Sequence, residues 1–484
     1  MEERKNFWDN YNLLVHGAIM LAIILVIGNL PAPAPLTQLG MKMLGVFIGV
    51  LYGWTVAGLL WPTLIAMSAL AFTGMYEKLS QFWVVSFGSE TIVFLLFIFV
   101  FTGLLEETGL IKFLANLLIS FKFLNNRPWL FSGVFMVACF VCAIINSFAS
   151  VLIFWEIVYI LAERFGFRPY DKWTTLMLMG VIATSTLGGL TMPYQPAPLV
   201  LMKTYQALTG EVINFFQYVV FALPIALSIV ILYVLVCRFV YRPDLKGLKH
   251  IDVSFVDQDA LKLRTVQKIA LIFLGVFIFF MLAPSVLPKS WMFVQVLDKL
   301  GNSGCTIILL VLLCLIKVDG KPVLNFRKVA ASSINWEIIF AFAFIIPFAS
   351  ALTSDATGVK AGIMLILKPI LTALPPFGVV LVSLILAAIL TNFANNVVIE
   401  VIFTTLMVSL APALGIPVVP AIMAVLIAAN LSFATPVASP IAALMFSNKL
   451  WMKTADMYKY GVITLVCLAA YAVTVGWLWA NIIF

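Results

Sequence analysis

The sequence predicts an all-α polytopic membrane protein built from two inverted halves, and three observations support this fold class. First, 63% of the 484 residues are hydrophobic and only 10% are charged. A soluble domain of this length lacks the polar residues to cover so much apolar surface. Second, long apolar runs recur along the chain without the alternation typical of strands. Third, one series of motifs occurs twice in the same order.

The apolar runs provide for about 11 transmembrane helices, since a bilayer core of roughly 30 Å needs about 20 helical residues. The first run follows a polar start without a small-residue cleavage site, so we interpret it as a retained helix. The clearest runs are residues 13–30, 92–105, 131–145, 215–236, 269–282, 306–315 and 462–479.

The net charge of +8 comes from basic residues that gather in two connecting segments. Two apolar segments separate these connections, so both lie on one side of the membrane, and the positive-inside rule makes that side cytoplasmic. We therefore expect a multi-pass protein of the cell (inner or plasma) membrane. Its expected partner is the lipid bilayer, and we expect no nucleic-acid partner. The basic residues are Arg238, Arg242, Lys246, Lys249, Lys262, Arg264 and Lys268, then Lys317, Lys321, Arg327 and Lys328.

Motifs for catalysis and for organic cofactors are missing from the sequence. Cys139 and Cys142 have C-x-x-C spacing, but they lie on an apolar helix without histidine or acidic neighbours, which favours helix packing over metal or redox chemistry. The chain has two histidines, and it shows no nucleophile–base pair and no nucleotide-binding loop. We therefore expect neither an enzyme nor a nucleotide-driven pump.

The repeated motifs lie at one constant offset, which favours a duplicated unit over chance. Thr-Gly at 108–109, Asn146 and Gly166 recur 249 residues later as Thr-Gly at 357–358, Asn395 and Gly415.

In each half, a later hydrophobic segment is interrupted by prolines and hydroxyl residues, at 189–196 and 432–440. Proline frees backbone carbonyls, which lipid does not tolerate unless protein or a water-filled cavity satisfies them. Paired broken helices indicate a transporter's binding site; the alternative is two proline kinks without a site. The polar pairs Asn146-Ser147 and Asn395-Asn396 interrupt other apolar segments. We further expect the short apolar segments 92–105 and 338–352 to be re-entrant hairpins.

At these motifs the chain resembles the divalent-anion/sodium symporter family, which carries dicarboxylates, citrate and sulfate. The resemblance covers nearly the whole chain and is closest over residues 390–440. It implies a homodimer whose protomers combine a scaffold with a transport domain that moves like an elevator. We accordingly divide the chain into scaffold helices (1–88), a first transport unit (89–237), a cytoplasmic basic linker (238–268), second scaffold helices (269–334) and a second transport unit with a C-terminal helix (335–484).

The expected substrate is a small organic anion, a carboxylate with an apolar body. The family's tips read Ser-Asn-Thr, whereas Phe148 and Val397 replace the threonines here, so a dicarboxylate would lack its usual hydroxyl clamp. The substrate-contacting positions expected from the two tips and the two breaks are Asn146, Ser147, Phe148, Thr191, Pro193, Asn395, Asn396, Val397, Thr435 and Pro436.

The resemblance also implies Na⁺ as the coupling ion. Cysteine is a poor ligand for a hard cation, which prefers oxygen, so we expect an intact sodium site in the second half and a weakened or lost one in the first. The implied ligands are Thr391, Ala394, Asn396 and Ala434 in the second half, and Cys142, Asn146 and Ser147 in the first.

Two acidic residues, Glu156 and Glu400, follow the tips in otherwise apolar helix. Asn396 and Glu400 are four residues apart and share a helix face. Glu400 could border the binding cavity, take up a proton or face an amine; the simpler interpretation pairs it with a lysine or places it near the interface. This leaves open a proton-coupled or exchange carrier of a zwitterionic or cationic substrate, and an ion channel.

Overall fold

The computed structural model is almost entirely helical. It describes residues 2–250, 261–359, 361–362, 365, 375–394, 396–436 and 438–484. In these parts of the chain, β-structure is limited to a two-stranded antiparallel pair, Lys317–Val318 with Lys321–Pro322.

The α-helices vary from seven to 28 residues in length. Their bounds are Glu2–Asn29, Gln38–Ala57, Leu60–Ala71, Leu79–Phe87, Glu90–Glu107, Leu110–Ile119, Pro128–Ile145, Ser147–Arg164, Lys172–Gly188, Pro196–Thr209, Phe215–Val236, Thr265–Val286, Met292–Leu315, Phe326–Ser333, Trp336–Thr353, Pro376–Leu390, Asn396–Leu410, Val418–Ala429, Pro440–Ser447, Thr454–Tyr471 and Trp477–Ile483. Short 3₁₀ segments are Lys122–Leu124, Lys246–His250, Asp355–Thr357 and Pro412–Leu414, and Cys237–Tyr241 and Ala472–Gly476 are π-helical.

Six described helical spans are long and apolar enough to cross a membrane. Two bent helix pairs, with angles of 44° and 71°, raise that number to eight if each pair counts as one span. Six further apolar helices have only 10–17 residues. These lengths confirm a multi-pass helical membrane protein. The six spans are Gln38–Ala57, Pro128–Ile145, Phe215–Tyr241, Thr265–Val286, Met292–Leu315 and Thr454–Ile483.

A helical hairpin surrounds the first polar tip. Its arms, Pro128–Ile145 and Ser147–Arg164, meet at Asn146, which has extended backbone angles (φ −154°, ψ 110°). Beyond the turn, the Ser150 hydroxyl donates to the carbonyl of Cys139 at 3.0 Å, so the arms run antiparallel. We call these two helices the first hairpin. In the second half, Pro376–Leu390 and Asn396–Leu410 flank the second tip.

The two segments predicted to be re-entrant hairpins contain no turn of their own. Segments 92–105 and 338–352 each lie within one 18-residue helix that has no internal turn, Glu90–Glu107 and Trp336–Thr353. The side chains of Ser89 and Asn335 cap the starts of these helices by accepting backbone N–H groups. Each of these helices is bent against the helix before it, by 44° and 71°, so that each pair forms either a broken span or a re-entrant loop.

The motifs that recur 249 residues apart adopt the same backbone conformation. Gly109 and Gly358 have φ of 72° and 66°, and Gly166 and Gly415 have φ of 73° and 65°. Glycine adopts this left-handed region without the steric cost that other residues incur. The agreement supports a duplicated unit.

The turn at Gly109 and the turn at Gly358 are each held by the other half of the chain. Arg264 Nη2 donates to the Thr108 carbonyl at 2.6 Å, immediately before helix Thr265–Val286. The Thr37 backbone N–H donates to the Thr357 carbonyl at 3.1 Å, immediately before helix Gln38–Ala57. We call these contacts the reciprocal clamps.

Both predicted helix breaks are present, and the helices before them lie deep in the protein. Helix Lys172–Gly188 is buried along almost its whole length and ends before the first break, residues 189–195. Helix Val418–Ala429 is likewise buried and ends before the second break, residues 430–439. Irregular backbone this deep must be satisfied by protein groups or by a water-filled cavity.

Candidate functional site

The first polar centre forms at Asn146, whose side chain bonds in two directions. Asn146 Oδ1 accepts the backbone N–H of Ala149 at 3.0 Å and so caps the second arm of the first hairpin. Asn146 Nδ2 donates to Glu106 Oε2, also at 3.0 Å. The sequence predicted the amide at this tip but not its contact with Glu106.

The first break packs directly against this tip. A Cβ at Gly189 would lie 2.3 Å from Ser147 Oγ, so a larger residue there would displace the Ser147 hydroxyl. The Tyr194 hydroxyl and Gln195 Nε2 both donate to the Ile144 carbonyl, at 3.0 and 2.8 Å. These two hydrogen bonds satisfy the Ile144 carbonyl at the end of the first arm, which lipid would leave unpaired.

Other first-half residues are less available to a ligand. Thr191 is fully buried, and its hydroxyl donates to the Gly188 carbonyl at 2.8 Å. Pro193 is also buried, whereas Phe148 is 48% exposed. The buried thiol of Cys142 points to the carbonyl of Ile111 at 3.6 Å. The structure therefore groups Asn146 and Ser147 with the break, whereas Thr191 is buried and Phe148 is exposed.

The second polar centre forms around Asn392, which connects the second tip to the second break. Asn392 Nδ2 donates to the Leu431 carbonyl at 3.1 Å, and Asn392 Oδ1 accepts the backbone N–H of Ala434 at 2.8 Å. The Thr435 hydroxyl donates to the Asn392 carbonyl. Asn392 was not predicted as a site residue, although it lies in the repeated motif.

Most of the predicted second-half residues lie around this connection. Thr391 is buried and donates to the Ala429 carbonyl, at the start of the break. Ala394, Val397 and Pro436 are each partly exposed. The predicted contact Asn395 lies outside the described residues.

The partly buried Asn396 begins a chain of polar side chains that continues through the buried Asn430 to Glu400. Asn396 Nδ2 donates to Asn430 Oδ1 at 2.9 Å, and Asn430 Nδ2 donates to Glu400 Oε1. Glu400 is 0% exposed, and among the described residues its Oε2 finds no hydrogen-bond partner. No described basic side chain lies within 4.0 Å of its carboxyl group.

Glu400 is thus buried between helices, and the described residues give it no lysine partner. Glu156, by contrast, pairs with Lys112 at 3.7 Å, and both side chains are exposed. Asn430 was also missed, and the available signal was a lone amide between an apolar run and the second break.

Within the described residues, no group of three or more His, Cys, Asp or Glu side chains could hold a metal ion. A cation at the second centre would instead use hydroxyl, amide and backbone oxygens, the ligand set that suits a hard ion. Two cavities, of about 550 and 530 Å³, lie away from both centres; Lys42 and Trp61 line the first, and Glu90 and Lys203 line the second.

Two curated relatives are similar to this chain. The sodium-dependent dicarboxylate transporter SdcS of Staphylococcus saprophyticus is 22% identical over 57% of this chain and 54% of its own length. The sodium-dependent low-affinity dicarboxylate transporter 1 of Caenorhabditis elegans is 25% identical over 64% of this chain and 56% of its own length. The chain thus matches just over half the length of these relatives, which agree with the divalent-anion/sodium symporter resemblance.

The fold is similar to that of the Alcanivorax borkumensis YdaH transporter, a crystal structure described as having an unusual topology. The TM-score is 0.58 at 14% identity, and the match covers 82% of this chain and 86% of that one. This likeness supports the fold of a polytopic membrane transporter.

The family model for citrate transporters (CitMHS) matches residues 49–400. The matched segment includes the whole first centre and the second tip as far as Glu400. Because it covers more than half of the sequence, the chain belongs to the citrate transporter family.

Proposed function

We propose that this protein is a secondary active transporter that moves a small organic carboxylate by an elevator-type mechanism coupled to sodium. The observation that carries the proposal is the pair of polar centres, each formed where a tip meets a broken helix. Such sites near the midplane are typical of carriers that alternate access around a fixed site.

The ends of the helices at both tips favour an anion. Helix Ser147–Arg164 and helix Asn396–Leu410 start at the tips, and a helix N-terminus carries partial positive charge and unpaired N–H groups. The amides of Asn146 and Asn396 add donors for carboxylate oxygens. A carboxylate held between these groups would find hydrogen bonds without needing a basic side chain.

The second centre supports the sodium part of the proposal. Its predicted ligands Thr391, Asn396 and Ala434 belong to the tip and break that Asn392 connects. In the first half, the Cys142 thiol is directed at a backbone carbonyl. We therefore propose one sodium site, in the second half; the names of both curated relatives describe sodium-dependent transporters.

The proposed movement follows the division made from the sequence. The transport units (89–237 and 335–484) would move against the scaffold segments (1–88 and 269–334) within a homodimer. The matching left-handed glycines of the two halves favour this inverted-repeat arrangement.

Uptake into liposomes tests the proposal. Purified protein should accumulate radiolabelled citrate, succinate or a monocarboxylate when an inward sodium gradient is present, and not when choline replaces sodium. Asn396→Ala should reduce this uptake by about tenfold or more, because a donor to a charged group is lost. Asn481→Ala is the matched control, since that exposed amide bonds only within the C-terminal helix at 2.8 Å. Sodium-independent uptake would contradict the coupling, and absence of carboxylate uptake would contradict the transport function.

One observation favours a second candidate, a proton-coupled or exchange carrier of a zwitterionic or cationic substrate. An intramembrane carboxyl is costly and typically functional, and Glu400 is fully buried with one oxygen unpartnered among the described residues. In that case Glu400 would carry the proton or face the substrate's amine.

A further inference from the structure

Two adjacent glutamates end helix Glu90–Glu107, and they have different partners. The Glu107 carboxylate forms an exposed ion pair with Lys328. The Glu106 carboxylate has no such basic partner among the described residues, and it accepts the amide Nδ2 of Asn146 at 3.0 Å. Asn146 is the residue that the proposed function assigns to the substrate.

The position of Glu106 is chemically that of a ligand carboxylate. Asn146 caps helix Ser147–Arg164, and the N-terminal end of a helix attracts negative charge. A carboxylate oxygen at 3.0 Å from the capping amide is the arrangement expected of a bound organic anion. Glu106 itself is exposed, so its side chain can rotate away without unpacking the core.

We propose that Glu106 is a resident carboxylate at the first centre, which occupies Asn146 when no substrate is bound and which a substrate carboxylate must displace. This inference rests on the proposed function and names the residue that sets the affinity of that site. The site can bind substrate only when Glu106 has moved away from Asn146. The measured affinity is therefore the intrinsic affinity multiplied by the fraction of molecules in which Glu106 has moved away.

Charge adds a specificity effect to this competition. The displaced Glu106 carboxylate remains close to the bound substrate and repels its negative charge. A substrate with two carboxylates meets more repulsion than a substrate with one. Glu106 therefore biases the carrier toward monocarboxylates, in the same direction as the apolar residues Phe148 and Val397.

Binding titrations on the purified full-length protein in saturating sodium test this role, with butyrate and succinate as probes. Glu106→Gln removes the charge but keeps a group that can contact Asn146, and neutral hydrogen bonds are about half as strong as charge-assisted ones. We expect Kd to fall by about tenfold for succinate, and by less for butyrate. Glu107→Gln, which changes the neighbouring carboxylate, should leave both Kd values unchanged.

Glu106→Asp separates position from charge, because it keeps the charge and shortens the side chain. It should also tighten binding, since the shorter residue reaches Asn146 poorly. The thermal unfolding midpoint of each variant checks that it is folded.

The inference is overturned if Glu106→Gln leaves the Kd of succinate unchanged or weakens it; weaker binding would make Glu106 a direct ligand of substrate or sodium. If the wild type binds a carboxylate and Glu106→Gln has the same Kd, only this inference is removed. A wild-type protein that binds no carboxylate removes the proposed function as well.

Discussion

Four asparagines connect the tips to the breaks and to neighbouring helices. An amide both donates and accepts, so one side chain can satisfy a helix end and a loosened carbonyl together. That economy matters at membrane depth, where unpaired polar groups are costly. The asparagines are Asn146, Asn392, Asn396 and Asn430.

Glu400→Gln separates the two candidate functions at the level of one residue. Glutamine keeps an oxygen for Asn430 Nδ2 but carries no charge and no exchangeable carboxyl proton. Under sodium coupling we expect uptake by this variant to remain close to wild type at both acidic and neutral pH. Its unfolding free energy should not decrease, because no ionised group is left to bury.

The measurements are sodium-driven uptake at the two pH values and chemical denaturation of the purified variant. Loss of transport, or remaining transport that no longer depends on pH as the wild type does, would favour the proton-coupled alternative.

Part of the site could be predicted from isolated residues. Asn146 and Asn396 were found because an amide inside an apolar run needs a partner. Glu106 and Asn430 were not, because their importance depends on which element folds against them. Glu106 lies 40 residues before Asn146, and no local pattern specifies that contact.

The sequence predicted the type of each helical segment better than the residues at which it begins and ends. The breaks were recognised because prolines and hydroxyl residues interrupt apolar sequence. The boundaries of segment 92–105 were not predicted, since a short apolar run has the same length whether it belongs to a hairpin or to a bent crossing. The cap at Ser89 shows where this helix starts.

Two left-handed glycines provide a matched test of the tight turn in the second half. Gly358→Ala and Gly415→Ala incur similar backbone strain, of about 1–2 kcal/mol, because φ is 66° and 65°. A Cβ at Gly358 would also lie 2.1 Å from the Pro35 carbonyl oxygen, whereas nothing lies within 4 Å at Gly415. We expect Gly358→Ala to lower the unfolding midpoint clearly more than Gly415→Ala. Equal midpoints would show that the loop around Pro35 moves to accommodate the added Cβ at little energetic cost.

At the scale of the whole molecule, the two halves and their charges define an orientation. Lys246 lies in the first basic linker and is exposed, and Lys289 is exposed beyond helix Thr265–Val286. That helix has 22 residues, which corresponds to about 33 Å and is enough to cross the bilayer core.

Single cysteines in a cysteine-free background test the orientation. With Lys289→Cys, intact cells should react with a membrane-impermeant maleimide, whereas with Lys246→Cys they should react only after permeabilisation. The reverse pattern would contradict the positive-inside assignment. Labelling of both positions in intact cells would contradict a membrane crossing between them.

The reciprocal clamps also determine the order in which the protein can be completed during synthesis. The Thr108 carbonyl gains its partner only after Arg264, 156 residues later, has been synthesised. Thr37 gains its partner only after Thr357, 320 residues later, has been synthesised. When only the first half of the chain has been synthesised, the turn at Gly109 therefore still lacks Arg264. Neither half of the chain, expressed alone, contains a completed clamp.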